Sequence, residues 1–248
     1  MEYLIGFFIA VVIALTGVGA GTITAPILIL LLHVPGGIAV GTALGYATIV
    51  KFIIAPVQIF RKQVNYKVFG YMLLGGGPGV LLGSLLFKRV SLNTAVLYWV
   101  LGSIIVFSSL MQLAGPFLKK RVEGKRKNRL ALLSLLMFPI GGEVGLSSSG
   151  AGALGSICLL SFTDLAAKDV VGTDVLFGLV VAAIGSGIHF AFGAYSMALL
   201  LKLIAGGIVG ALVGCVIAPL LPNKQLRFAL SCWLLFIGAD FCIRAAAF

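Results

Sequence analysis

The chain has 248 residues, 60% of them hydrophobic and only 10% charged, with a mean hydropathy of +1.17 and a formal net charge of +11. A soluble domain is about half apolar and about a quarter charged, so this composition excludes a soluble enzyme domain, a coiled coil, a disordered tail and a disulfide-stapled secreted module. It supplies about seven or eight membrane segments of about 20 residues each, and in such a chain Lys and Arg mark cytoplasmic loops before they mark nucleic acid.

In chain order the apolar segments run over 3–32, 38–60, 68–87, 93–118, 130–162, 166–192, 195–221 and 225–247. No basic n-region precedes the first, which exceeds a signal-peptide core in length, so it is expected to belong to the mature fold. A helix over 3–32 would be about 45 Å long at 1.5 Å per residue, against a hydrocarbon core of about 30 Å. Gly17-Val18-Gly19-Ala20-Gly21 sits in its middle and Pro26 lies beyond. Residues 119–129 form the conspicuous loop, with seven basic residues, and divide the chain into a first repeat (1–118), a cytoplasmic linker (119–129) and a second repeat (130–248). The fifth segment carries Gly145-Leu146-Ser147-Ser148-Ser149-Gly150-Ala151-Gly152 where the first carries its glycines. The four cysteines, Cys158, Cys215, Cys232 and Cys242, lie in apolar stretches and read as small buried hydrophobes.

The two halves repeat each other at an offset of 131 residues. Val40-Gly41-Thr42 falls on Val171-Gly172-Thr173, Gly19-Ala20-Gly21 on Gly150-Ala151-Gly152, Gly75-Gly76 on Gly206-Gly207, Gly79 on Gly210 and Gly83 on Gly214. Glycine is abundant here, 33 residues, but so many matches in one ungapped register indicate duplication, a hallmark of secondary transporters. The expected fold is an all-α polytopic membrane protein of two repeats, each about four segments, with the first segment of each broken or re-entrant. If the broken segments span, the halves run parallel and 11 basic residues lie inside against 5 outside; if they are hairpins, the halves are inverted and the balance is 13 against 3. The positive-inside rule favours inverted repeats.

Non-helical backbone inside a bilayer survives where it is buried in protein or lines a wet cavity. The paired glycine breaks therefore read as a midplane site, with close glycine packing between helices as the alternative. Exposed backbone N–H groups and half-helix N-termini favour an anion. The expected substrate-binding residues are Gly17, Gly19, Gly21, Thr22, Thr42, Lys51, Ser147, Ser148, Ser149, Gly150, Gly152 and Thr173, with Thr24 a further hydroxyl nearby. Lys51 either meets the anion or pairs within the protein. Glu143, Asp174 and His189 are candidates for proton coupling, since ionisable groups inside membrane segments suggest function; His189 has a structural role as its alternative. No P-loop, zinc-protease helix or nucleophile elbow is present, so no enzyme activity, cofactor, metal or nucleic-acid partner is expected.

Gly17-Val18-Gly19-Ala20-Gly21, followed by Pro26 and by Ala39-Val40-Gly41-Thr42, resembles the signature of the TauE/SafE sulfite-exporter family, and the Gly75-to-Gly83 stretch and the second copy from Gly145 fit it too. The resemblance covers about residues 4–247. It departs at Ser147-Ser148-Ser149, where more glycines are usual, and at Asp174, where a serine commonly follows the Gly-Thr pair. It implies a multi-pass transporter of the prokaryotic inner membrane, in the lipid bilayer, carrying small sulfur oxyanions or sulfonates such as sulfite, sulfoacetate or thiosulfate; export is the expected direction, and protons are the coupling ion that Glu143, Asp174 and His189 suggest. A homo-oligomer is compatible with this reading. A passive anion channel is the alternative, and a membrane scaffold a third class with little reason to keep paired breaks.

Overall fold

The structure is a computed structural model describing residues 1–16, 20–91, 93–122, 129–149, 152, 154–218 and 223–246. Among these the chain is all-helical. The helices are α1 (Glu2–Thr16), α2 (Ala20–Leu30), α3 (Gly36–Phe60), α4 (Tyr66–Val90), α5 (Thr94–Val122), α6 (Leu130–Ser147), α7 (Leu154–Phe162), α8 (Ala167–Ala191), α9 (Met197–Ile217) and α10 (Asn223–Ala246). Seven of the described helices are long and apolar enough to cross a membrane: α3, α4, α6, α8 and α9 whole, and α5 and α10 over Thr94–Ala114 and Phe228–Ala246. α1, at 15 residues, is about 22 Å long and α2 is shorter still. Prolines at 26, 56, 78 and 139 sit inside helices, as membrane helices tolerate when neighbours satisfy the freed carbonyls. α5 runs on to Val122, into the basic stretch, while residues 123–128 of the expected linker lie outside the described residues.

The offset of 131 residues carries α3 onto α8 end to end. It also relates the contacts. Gly206 of α9 lies against the Tyr3 carbonyl of α1, and its counterpart Gly75 of α4 lies against the Ser134 carbonyl of α6. Gly210 meets the Phe7 carbonyl as Gly79 meets that of Phe138. Contacts that advance together along both chains mean that α1 runs parallel to α9, and α4 to α6. These two seams are the most extensive helix contacts in the protein, and each joins one half to the other. Backbones approach so closely because glycine offers no Cβ, the usual device of packing in lipid, where no hydrophobic force drives helices together.

At the centre α3 and α8 run antiparallel. Gly41, near the start of α3, lies against the Ala194 carbonyl just beyond α8, and Gly172, near the start of α8, lies against the Gln63 carbonyl just beyond α3. α5 packs on α10 outside this core, through Gly102 and Gly238. The ends of the α6–α7 segment meet: the Arg129 N–H donates to the Phe162 carbonyl at 3.2 Å. The segment therefore turns back on itself. Leu74, Leu135, Val216 and Phe236 stand exposed on the outside, while Thr22, Thr24, Lys51, Asp174 and His189 are buried. Polar residues inside and apolar residues outside suit a surface solvated by hydrocarbon.

Candidate functional site

The second break begins later than the glycines alone indicate. Gly145, Leu146 and Ser147 remain helical, and α6 stops at Ser148, whose φ of 61° is left-handed and whose N–H still donates to the Val144 carbonyl at 2.9 Å. Gly145 stays in the helix because α4 holds it: a Cβ there would meet the Ser84 N–H and hydroxyl and the Val80 carbonyl. Gly21 is likewise inside α2, packed directly against Ser148. Gly17, Gly19 and Gly150 lie outside the described residues, and Gly152 is buried in the turn before α7.

A hydroxyl–carboxylate network closes the end of α6. The Ser108 hydroxyl of α5 donates to Glu143 Oε1 at 2.7 Å, and the Ser149 hydroxyl donates to the same oxygen at 3.2 Å. Ser147 Oγ accepts the Ser149 N–H at 3.2 Å and has the Glu143 carbonyl at 2.9 Å and Ser149 Oγ at 2.8 Å within reach, so that the two serine protons are shared among three oxygen–oxygen contacts. Among the described residues the partners of the Glu143 carboxyl are hydroxyls. Ser148 Oγ, in a residue only 5% exposed, has no hydrogen-bond partner among them and lies against Gly21 in the first turn of α2.

A second polar group spans α3, α7 and α8. Lys51 is buried with its ammonium over Gly178 and interacts electrostatically with Asp174 one turn away. The Ser156 hydroxyl of α7 donates to Asp174 Oδ2 at 2.8 Å, and Asp174 Oδ1 rests against Gly155, in the first turn of α7. A buried charge is costly unless paired and hydrogen-bonded; the Asp174 carboxylate has the Ser156 hydroxyl, and Lys51 is drawn to Asp174 through the protein interior. The structure thus gives Lys51 a partner inside the protein.

His189 of α8 is fully buried. Its Nε2 donates to the Gly145 carbonyl at 2.9 Å, and its ring lies against Phe87 with centroids 4.4 Å apart and planes tilted by 47°. Its Nδ1 and the nearby Ser84 hydroxyl are without partners among the described residues. Phe87 in turn lines a cavity of about 320 Å³ with Pro35, Gly36, Ser91, Tyr98 and Ala194. His189 therefore stands between this cavity and the end of α6.

Thr42 and Thr173 are placed elsewhere. Thr42 Oγ1 donates to the Ile38 carbonyl at 2.8 Å and accepts the Ser196 N–H at 3.0 Å. Thr173 Oγ1 accepts the Asn65 N–H at 3.0 Å. The two bonds are related by the same offset of 131, and each ties the loop after one central helix to the other. Sequence reasoning passed over Ser84, Ser108 and Ser156; the signal was their position inside apolar segments. Among the described residues no three His, Cys, Asp or Glu side chains come close enough to hold a metal ion.

The chain is similar throughout its length to known transport proteins. It is 29% identical to the "Probable membrane transporter protein YjnA" of Bacillus subtilis (strain 168), over 95% of this chain and 96% of the relative. It is 23% identical to the "Probable membrane transporter protein YdhB" of the same organism, over 92% and 93%. No solved structure matches. The family model described as "Sulfite exporter TauE/SafE" matches residues 3–241. With this match and its seven apolar helices, the chain is a multi-pass membrane transporter that belongs to the TauE/SafE family.

Proposed function

We propose that this transporter exports sulfite or a small organosulfonate such as sulfoacetate across the cell membrane, coupled to protons, by alternating access around the two breaks. One observation carries the reading: the hydroxyl-rich turn that ends α6 lies directly on the first turn of α2, with the unpartnered Ser148 Oγ facing Gly21. A helix N-terminus offers backbone N–H groups and partial positive charge to an anion, and hydroxyls donate to oxyanion oxygens. Small donors without an aromatic cage suit a small, multiply oxygenated anion. Because Lys51 lies over Gly178 and is drawn to Asp174, and the Ser147 and Ser149 hydroxyls are engaged with Glu143, the backbone and the Ser148 hydroxyl carry the binding, with Thr22 alongside in the first turn of α2.

Of the three groups considered for proton coupling, Glu143 has the placement. It bonds Ser149 directly, so its charge and the geometry of the turn change together. Asp174 is neutralised by Lys51, and His189 serves the Gly145 carbonyl. The antiparallel α3–α8 pair and the meeting ends of α6 and α7 support inverted repeats with re-entrant hairpins, in which one half rocks against the other.

The test is flux in proteoliposomes with sulfite, thiosulfate and sulfoacetate, with and without a pH gradient. Saturable, gradient-accelerated flux of at least one of them is expected. No flux of any of the three removes the substrate class. Flux indifferent to the gradient removes proton coupling, and non-saturating flux with single-channel currents replaces the carrier by a pore.

A further inference from the structure

The two breaks are related by an offset of 131 residues, yet their surroundings differ in charge. In the second half the Asp174 carboxylate sits at the first turn of α7, bonded by Ser156 and resting on Gly155, with Lys51 as its counter-ion. The offset puts Ala43 in the place of Asp174, Ala182 in the place of Lys51, Ala25 in the place of Ser156 and Thr24 in the place of Gly155. The first half has the same helix N-terminus, at α2, but no built-in carboxylate from the equivalent position. It has instead a buried hydroxyl without a partner among the described residues, Ser148 Oγ, against its first turn.

We propose that Asp174 is a tethered anion: it serves the N-terminal end of α7 in the second half as the transported anion serves that of α2 in the first, where the anion lies one turn nearer the helix start than the offset places Asp174, so that each chain binds one substrate anion, at the N-terminal turn of α2 beside Ser148. The inference rests on the anion-transport reading above and sharpens it to one of two symmetry-related places. The electrostatics follow directly. A helix N-terminus favours one negative charge, and α7 already holds one that cannot leave. A second anion there would meet Asp174 at close range in a low-dielectric surrounding, where like charges repel strongly. At α2 the position equivalent to Asp174 is Ala43, which carries no carboxylate; the carboxyl nearest the turn, that of Glu143, is held by the hydroxyls of Ser108 and Ser149. Lys51 then serves as the permanent counter-ion of Asp174, which explains a lysine at the centre of α3 without giving it to the substrate.

The experiment is equilibrium binding of radiolabelled sulfite, thiosulfate and sulfoacetate to the purified full-length protein, with monodispersity checked for each variant. The wild-type chain is expected to bind one anion per chain. Ala43→Asp copies the second-half carboxylate into the first half and should weaken binding at least tenfold relative to Ala43→Asn, which adds the same volume without charge. Lys51→Ala with Asp174→Ala makes the second half resemble the first at both positions and should raise the stoichiometry to two. Two anions per wild-type chain overturn the proposal. So does equal binding by Ala43→Asp and Ala43→Asn, or a stoichiometry still at one in a well-folded Lys51→Ala/Asp174→Ala protein. If that double variant fails to fold, the comparison at position 43 decides alone. Absence of binding of all three anions by the wild-type chain is a different result, for it removes the substrate class on which the inference stands.

Discussion

The Lys51 ammonium of α3 rests on Gly178 of α8, one turn from Asp174, whose carboxylate attracts it where the antiparallel helices α3 and α8 pack together. Breaking a buried pair on one side leaves an uncompensated charge, at a cost of about 3–5 kcal/mol. Lys51→Met and Asp174→Asn made singly are each expected to lose about that much stability. The two together should lose clearly less than their sum, because neither charge is then stranded. Thermal unfolding of the detergent-solubilised protein, arranged as a double-mutant cycle, checks this. Additive losses would mean that the pair does not act as a unit.

Glu143→Gln keeps an oxygen that accepts from Ser108 and Ser149 and removes the charge. If Glu143 carries the coupled proton, the variant should still exchange anions in counterflow while its net flux no longer responds to a pH gradient. Gradient-driven flux equal to that of the wild type would transfer coupling to another group.

The seams between the halves should respond sharply to a single methyl group. Gly75→Ala and Gly206→Ala each drive a Cβ into a carbonyl of the facing helix, and overpacking of this kind costs about 1–3 kcal/mol. Gly70→Ala and Gly187→Ala meet nothing within 4 Å and should be neutral or stabilising by up to about 1 kcal/mol, through helix propensity. Melting temperatures of the four variants, measured side by side, separate seam glycines from incidental ones.

The hairpin reading has a direct consequence for sidedness. Cysteines introduced at Glu2 and at the exposed Pro35, in a chain freed of its four native cysteines, are expected to react with a membrane-impermeant thiol reagent from the same side. Labelling from opposite sides would mean that the first segment spans.

Much of this arrangement is legible in the sequence, and the physics explains which parts. The segment limits follow from hydropathy, since lipid demands apolar surface over a fixed thickness; that is why 38–60 and 166–192 anticipate α3 and α8 closely. The glycine register returns in the structure as matched helix contacts, because a backbone contact admits no side chain, whatever else drifts. What hydropathy cannot give is partnership. Nothing in Tyr3 or Gly206 says that α1 packs on α9 and not on its own neighbours, because every helix face is apolar. The hydroxyls were harder still. Thr42 and Thr173 look like Ser147 and Ser149 in composition, but the first pair ties loops to helices and the second pair closes on a carboxylate. Gly145 reads as the start of a break and is helical, since Ser84 and Val80 of α4 brace it from outside the segment.

The cross-half seams also set a timetable for biogenesis. α1 is made well before α9, on which it closes and which begins only at Met197. At synthesis rates of about 5–20 residues per second, α1 waits roughly 10–40 s for that surface to emerge. During this interval a helix about 22 Å long, too short to cross the bilayer alone, carries its seam face uncovered. The seam face of α1 therefore stays uncovered until α9 is made, and closure of the α1–α9 seam is a late step of assembly.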